Sequence, residues 1–127
     1  KKHYETRFRY YHNVLKHKDK AKVQELKASD PWRWRVNNMK RNINKLISVE
    51  WLHGLWISQD KKCALTGRDV GILTMEIDHI IPRSRGGTDE LSNLRIVIRL
   101  ANFAKGPMTD DELFELCRDI LIVAGKN

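Results

Sequence analysis

The sequence predicts an α+β fold that is mostly helical, with one β-hairpin crossed by a short helix. Three observations carry this. Apolar residues recur at spacings of three and four between residues 4 and 56, the period of one helix face. Two short β-branched runs, "ILTMEIDHII" and "LRIVI", alternate apolar with polar as strands do. Between and after them lie the turn and cap residues that close such elements.

The elements follow in order. Tyr4, Phe8, Tyr11 and Leu15 mark one helix face. "KHKDKAK", residues 16–22, is read either as a continuing solvated helix or as a break. Ser29-Asp30-Pro31 supplies a cap acceptor and then a proline suited to a first helical turn. Trp32, Val36, Met39, Ile43, Leu46 and Ile47 extend that helix, with Arg33, Lys40, Arg41 and Lys45 mostly off the stripe. Ser48 caps a further helix that turns Trp51, Leu52, Leu55 and Trp56 inward. The aromatic stripes read as core, with base stacking by Trp32 or Trp34 as the alternative.

From Cys63 the pattern changes. "CALTGRDVG" contains the turn residues Gly67 and Gly71. The first strand follows, then the polar loop "PRSRGGTDELS", then the second strand. "RLANFAK" is a short helix stopped by Gly106-Pro107. Thr109 and Glu112 form a capping box opening a last helix, with Leu113, Leu116, Cys117, Ile120 and Leu121 inward.

Charge is the informative bulk property of these 127 residues. The net is +8, but residues 1–62 hold 16 Lys/Arg against 6 Asp/Glu, and residues 63–127 hold 8 against 10. The first half therefore suits a polyanionic partner. No apolar run approaches the roughly 18 residues of a membrane span, and the N-terminus lacks the apolar region of a secretory signal. Two cysteines are too few for a disulfide framework; they read as reduced core thiols in an intracellular protein. The chain starts at Lys1 rather than at a methionine, as a segment of a longer protein would.

The residues able to do chemistry fall at the joints of the hairpin. Asp78 and His79 end the first strand, Asn93 opens the second, and Asn102 and Lys105 lie on the short helix. A carboxylate and an amide carbonyl are hard oxygen donors suited to Mg²⁺ or Mn²⁺. A neutral imidazole beside them suits a general base. His3, His12, His17 and His53 match no ligand spacing.

"DHIIPRSRGG" followed by "SNLRIVIRLANFAKG" resembles the HNH endonucleases, which have the ββα-metal fold. The match spans about Cys63 to Gly106: an Asp-His pair, a proline and glycine loop, and an Asn fourteen residues after the His. A second Asn comes nine residues later and a Lys three beyond that. The match leaves the basic half uncovered; charge and match together read as two regions, a basic helical part, residues 1–62, expected to contact DNA and pack on the core, and a nuclease core with its C-terminal helix, residues 63–127.

Residue by residue, Asp78 and Asn102 would hold one divalent ion, Mg²⁺ or Mn²⁺, with other divalent ions admitted. His79 would activate water, and Asn93 would fix the loop and the His79 ring. Lys105 would either approach the scissile phosphate or cap its helix. Arg83, Arg85, Arg33, Arg35, Lys40 and Arg41 would meet DNA phosphates. Glu76 shares the Asp78 face of the strand and reads as structural or supporting.

The implied reaction is metal-dependent cleavage of double-stranded DNA to 5′-phosphate and 3′-hydroxyl ends. A monomer would nick; a double-strand break would need a dimer or two binding events. Two other readings are a catalytically weak DNA-binding or assembly module, and a colicin-like toxin nuclease. The kinship admits a terminase or other phage or mobile-element partner, in a bacterial cytoplasm or infected host. Many relatives carry a zinc held by two CxxC pairs. Here those positions are Cys63, Thr66, Ile98 and Ala101, so no structural zinc is expected, and the Trp51–Trp56 and C-terminal helices would brace the fold instead.

Overall fold

The computed structural model describes residues 16–126; the Tyr4–Leu15 stripe lies outside them. Helix α1, Lys16–Ser29, includes the lysine-rich stretch, so that stretch is helix and not a break. It ends where Pro31 withdraws a donor and disfavours helical backbone at Asp30, whose φ is −144°. Asp30 then caps α2, Pro31–Asn42, by accepting the Arg33 amide at 3.1 Å.

The apolar stripe outruns this helix. Instead of continuing to Ile47, α2 stops at Asn42. The Ile43 and Asn44 amides both return to the Met39 carbonyl, and the Asn44 side chain accepts the Leu46 amide at 2.8 Å. Asparagine competes with helix by bonding nearby backbone in this way. Ile47 is nevertheless fully buried, while Leu46 faces solvent. Helix α3, Val49–Ser58, begins with the Ser48 hydroxyl accepting the Trp51 amide at 3.0 Å.

Strands β1, Met75–His79, and β2, Leu94–Ile98, form an antiparallel hairpin. The first strand is shorter than its β-branched run, because the Thr74 and Met75 amides are taken by a turn on the Gly71 carbonyl. Met75 pairs with Ile98, Ile77 with Ile96, Asp78 with Arg95 and His79 with Leu94. Side chains alternate across a strand. One face therefore carries Met75, Ile77, Leu94 and Ile96, which join Val36, Met39, Ile47 and Leu52 of the helical half in a single core. Full burial of each such side chain contributes about 1.5–3 kcal/mol. This core crosses residue 62, so the basic half and the hairpin share their main stabilising contacts.

The other face carries Glu76, Asp78, Arg95 and Val97. Val97 packs with Cys63 and Ala101, placing α4, Arg99–Lys105, across that face. Cys63 stands where a zinc thiolate would sit, and its sulfur accepts the Ile98 amide at 3.4 Å.

The last helix, α5, Asp110–Val123, starts at Thr109 as the capping box implies, with the hydroxyl accepting the Glu112 amide at 3.3 Å. Its packing departs from expectation. Leu116, Ile120 and Leu121 are exposed, and so is Cys117, which is no core thiol. Leu113, Phe114 and Cys117 share an apolar pocket with Leu65, Ala101 and Ala104. The brace comes from α3, where Leu52 is fully buried and the Trp56 indole donates to the Val70 carbonyl at 2.8 Å.

Candidate active site

The loop after β1 turns back on itself before it reaches β2. Its tightest point is Gly87, whose amide donates to the Pro82 carbonyl at 2.9 Å. A Cβ there would lie 1.7 Å from the Ile81 carbonyl oxygen, so only glycine fits. Asn93 locks the loop from inside. Its Oδ1 accepts the Ile81 amide at 2.9 Å, and its Nδ2 donates to the Ile81 and Thr88 carbonyls at 3.0 and 2.8 Å. Asn93 thus fixes the loop, as its place in the sequence implies, but its side chain makes no bond to the His79 ring.

Asp78 and His79 are neighbours, so the strand sends them to opposite faces. At the strand end both still reach one cavity of about 370 Å³, lined also by Pro82, Arg83, Asn102 and Gly106. His79 is held by a residue to which sequence reasoning assigned no role: its Nε2 lies 2.7 Å from Asp89 Oδ1. Arg83 Nε donates to the same oxygen at 2.7 Å. Arg83, and then His79, hold the Asp89 carboxyl below the usual carboxylate range.

Asp78 is 5% exposed and sits in a cluster of alternating charge. Its Oδ2 accepts from Arg95 Nε at 2.8 Å. Arg95 makes a two-pronged contact with Asp110, at 2.8 and 2.6 Å. Burial works against the Arg95 charge, but hydrogen bonds to Asp110 and Asp78 outweigh it and raise the pKa. Arg95 in turn is the main reason that the Asp110 carboxyl is lowered, against the opposing effect of burial.

Lys105 completes the cluster, and here the expectation of a phosphate contact or a helix cap is corrected. The residue is 0% exposed. Its Nζ donates to both Asp78 oxygens, at 3.2 and 3.1 Å, and to the His79 and Ile80 carbonyls at 2.9 and 3.0 Å. An ammonium so enclosed cannot touch a phosphate; it ties α4 to the end of β1.

Asn102 shares the cavity with Asp78, and its Nδ2 donates to Glu76 Oε1 at 3.0 Å. That bond turns the amide so that Oδ1 keeps its lone pairs among the described residues. Among those residues, no three of His, Cys, Asp and Glu converge on one point. A divalent ion here would draw on the Asp78 carboxylate and the Asn102 carbonyl, both hard oxygens on one cavity. Their chemistry fits Mg²⁺ or Mn²⁺. The fit carries a cost, because Lys105 and Arg95 already neutralise Asp78.

Residues 63–110 match the family model described as HNH endonuclease. By this match the segment is similar to the HNH endonucleases. The HNH segment takes in both strands, the loop, α4 and Asp110, and excludes the basic helices. The match points to a nuclease in general and suggests DNA as its substrate. No curated protein matches the chain. No described helix is long and apolar enough to cross a membrane.

The six basic residues expected on DNA separate into groups. Arg33 and Lys40 are exposed on α2. Arg41 is exposed with a 3.3 Å bond to the Asn38 side chain. Arg83 and Arg85 stay about half exposed, although Asp89 and Glu112 pair with them at 2.7 and 2.6 Å. Arg35 departs from its expected role. Its guanidinium donates to the Ile72 and Leu73 carbonyls, stacks 4.5 Å from the Trp34 ring, and has its pKa lowered by burial. It fastens α2 to the start of β1. Trp32 packs edge-on against Trp56 at 5.4 Å, which favours core over base stacking.

Proposed function

We propose that the chain is a divalent-metal-dependent DNA endonuclease that hydrolyses one phosphodiester bond per site. The single observation carrying this is the convergence of Asp78, His79, Asn102 and Arg83 on one cavity, in a segment of HNH type. Asp78 and Asn102 would hold Mg²⁺ or Mn²⁺. When bound, such an ion stabilises the charge that grows on the phosphate and on the leaving oxygen. His79 takes the proton of the attacking water as its oxygen bonds to phosphorus and the P–O3′ bond breaks; the leaving O3′ takes a proton from solvent water, giving 5′-phosphate and 3′-hydroxyl ends. Arg83, on the cavity rim, neutralises the scissile phosphate. Arg33, Lys40 and Arg41 supply sequence-independent attraction to the backbone.

The test is plasmid nicking with Mg²⁺ or Mn²⁺. Wild type should convert supercoiled to open-circular DNA only with a divalent ion, and His79→Ala should lose about 10²–10⁴-fold in rate, as for a general base. A wild type inert with every divalent ion, or as active as His79→Ala, ends the proposal.

One observation favours a second reading, a DNA-binding module with little catalysis: the Asp78 carboxylate is already paired with Arg95 and Lys105. Calorimetric titration with Mn²⁺ separates the two. Saturable binding weakened by Asp78→Asn supports the enzyme; its absence, with DNA binding intact, supports the module.

A further inference from the structure

We propose that Asp89 is a positioning residue for His79: its carboxylate fixes the imidazole as the Nε2–H tautomer and leaves Nδ1 as the nitrogen that takes the proton. The consequence for cleavage rests on the nuclease reading; the geometry does not.

An ionised carboxylate only accepts hydrogen bonds, and a neutral imidazole has one donor nitrogen and one acceptor. With Asp89 Oδ1 at 2.7 Å from Nε2, the proton must sit on Nε2. The lone pair is then on Nδ1, which takes no hydrogen bond from the described residues. Arg83 on the same oxygen keeps Asp89 ionised. Without that partner, either nitrogen could carry the proton, and half of the orientations would present a donor where a base is needed.

The carboxylate is also held in place. The Asp89 carbonyl accepts from the Asn44 side chain at 2.8 Å, across from the helical half. The preceding carbonyl, of Thr88, accepts from Asn93 Nδ2. Arg83 itself reaches the Asn42 carbonyl at 3.4 Å. Asn93 therefore acts on His79 at one remove, through the loop that carries Asp89. The Asp89 side chain is 46% exposed, and pairs so exposed contribute little to stability. A structural role alone gives no reason for an acid at this position.

The experiment is long-range ¹H–¹⁵N NMR on the full metal-free chain, at a pH where imidazole is neutral, with His79→Ala assigning the ring signals. Wild type should show a protonated Nε2 and a bare Nδ1. Asp89→Asn should lose this, giving a tautomer mixture or Nδ1–H, and Asp89→Glu should restore it. In the nicking assay Asp89→Asn should lower kcat roughly 10–10³-fold with KM unchanged, less than the ~10⁴ of a buried triad acid because this pair is half exposed. Retention of the Nε2–H tautomer in Asp89→Asn overturns the proposal, as does a wild type with the proton on Nδ1. If wild type does not nick DNA, the nuclease reading fails alone, and the tautomer still decides this one.

Discussion

Replacing Lys105 with methionine separates the structural role that its surroundings indicate from the catalytic role that its place in the motif suggests. Methionine has similar length and keeps the volume filled, so the change removes the ammonium and little else. Four partners lose a charged donor: the Asp78 carboxylate, the carbonyls of His79 and Ile80, and Asp110, whose Oδ1 lies 3.4 Å away and which keeps Arg95. Removing one partner of a buried ion pair costs about 3–5 kcal/mol. Asp78 keeps Arg95 at 2.8 Å, so the lower figure, ~3 kcal/mol, applies to the carboxylate. Each carbonyl adds about 1 kcal/mol at the low end of the cost of an unmet buried acceptor. The total, roughly 5 kcal/mol, is a large part of the 5–15 kcal/mol that holds a typical domain folded.

Urea unfolding followed by tryptophan fluorescence reads this directly, since the chain has 4 Trp. With a slope of about 2 kcal/mol/M for a small domain, the midpoint should fall by ~2.5 M, or the variant should be unfolded before urea is added. A midpoint lowered by less than ~0.5 M, with nicking abolished, would refute the reasoning and return Lys105 to the reaction.

Other perturbations have equally definite outcomes. Gly87→Ala forces a methyl to 1.7 Å from the Ile81 carbonyl; the loop must open, so His79 should lose its Asp89 contact and nicking should fall at least ~10²-fold, as a roughly 1 Å misplacement does. Asp110 is held below the ordinary carboxyl pKa by Arg95. A lowered carboxyl stabilises the fold above its unfolded pKa of about 3.9 and stops doing so as pH falls through its folded value. Asp110→Asn should therefore lower the urea midpoint at neutral pH, and show a smaller further drop than wild type below about pH 4; parallel curves would show that the pair carries no pH-dependent stability. Arg33→Ala, Lys40→Ala and Arg41→Ala should each weaken DNA binding alike on all sequences and reduce the slope of log K against log salt by about 1. Arg35→Ala should instead lower the melting temperature, because its guanidinium holds the Ile72 and Leu73 carbonyls; an unchanged melt with a reduced salt slope would put it back on the DNA.

Much of the fold was legible because it depends on short-range rules. Asp30-Pro31, Ser48 and Thr109 start their helices where an acceptor side chain precedes a helical stripe. Strand β2 and helix α4 follow alternation and the Gly106 stop. What failed depends on partners distant in sequence. Amphipathic spacing in α5 could not say that nothing among the described residues covers Leu116, Ile120 and Leu121. Lys105 reads as a surface cation until its helix is laid across β1. Asp89 gives no local signal, being one acid in a polar loop. Arg95 did give one: once the hairpin is registered, it stands directly opposite Asp78, an opposite-charge cross-strand pair.

The adjacency of Asp78 and His79 follows from the same geometry. Two consecutive strand residues cannot face the same side, so an acid and an imidazole in tandem serve two separate environments. The acid faces α4, where Arg95, Lys105 and Asp110 fix its position to within hydrogen-bond tolerance. The imidazole faces the loop, where Asp89 and Arg83 fix its ring. Only at the end of a strand, where the sheet no longer separates its two faces, can both open onto one cavity. A shift of either residue by one position would exchange their environments, placing an imidazole among two cations and an acid against Asp89. The order Asp-His, and its place at the last two residues of β1, is thus a requirement of the pleat as much as of the chemistry.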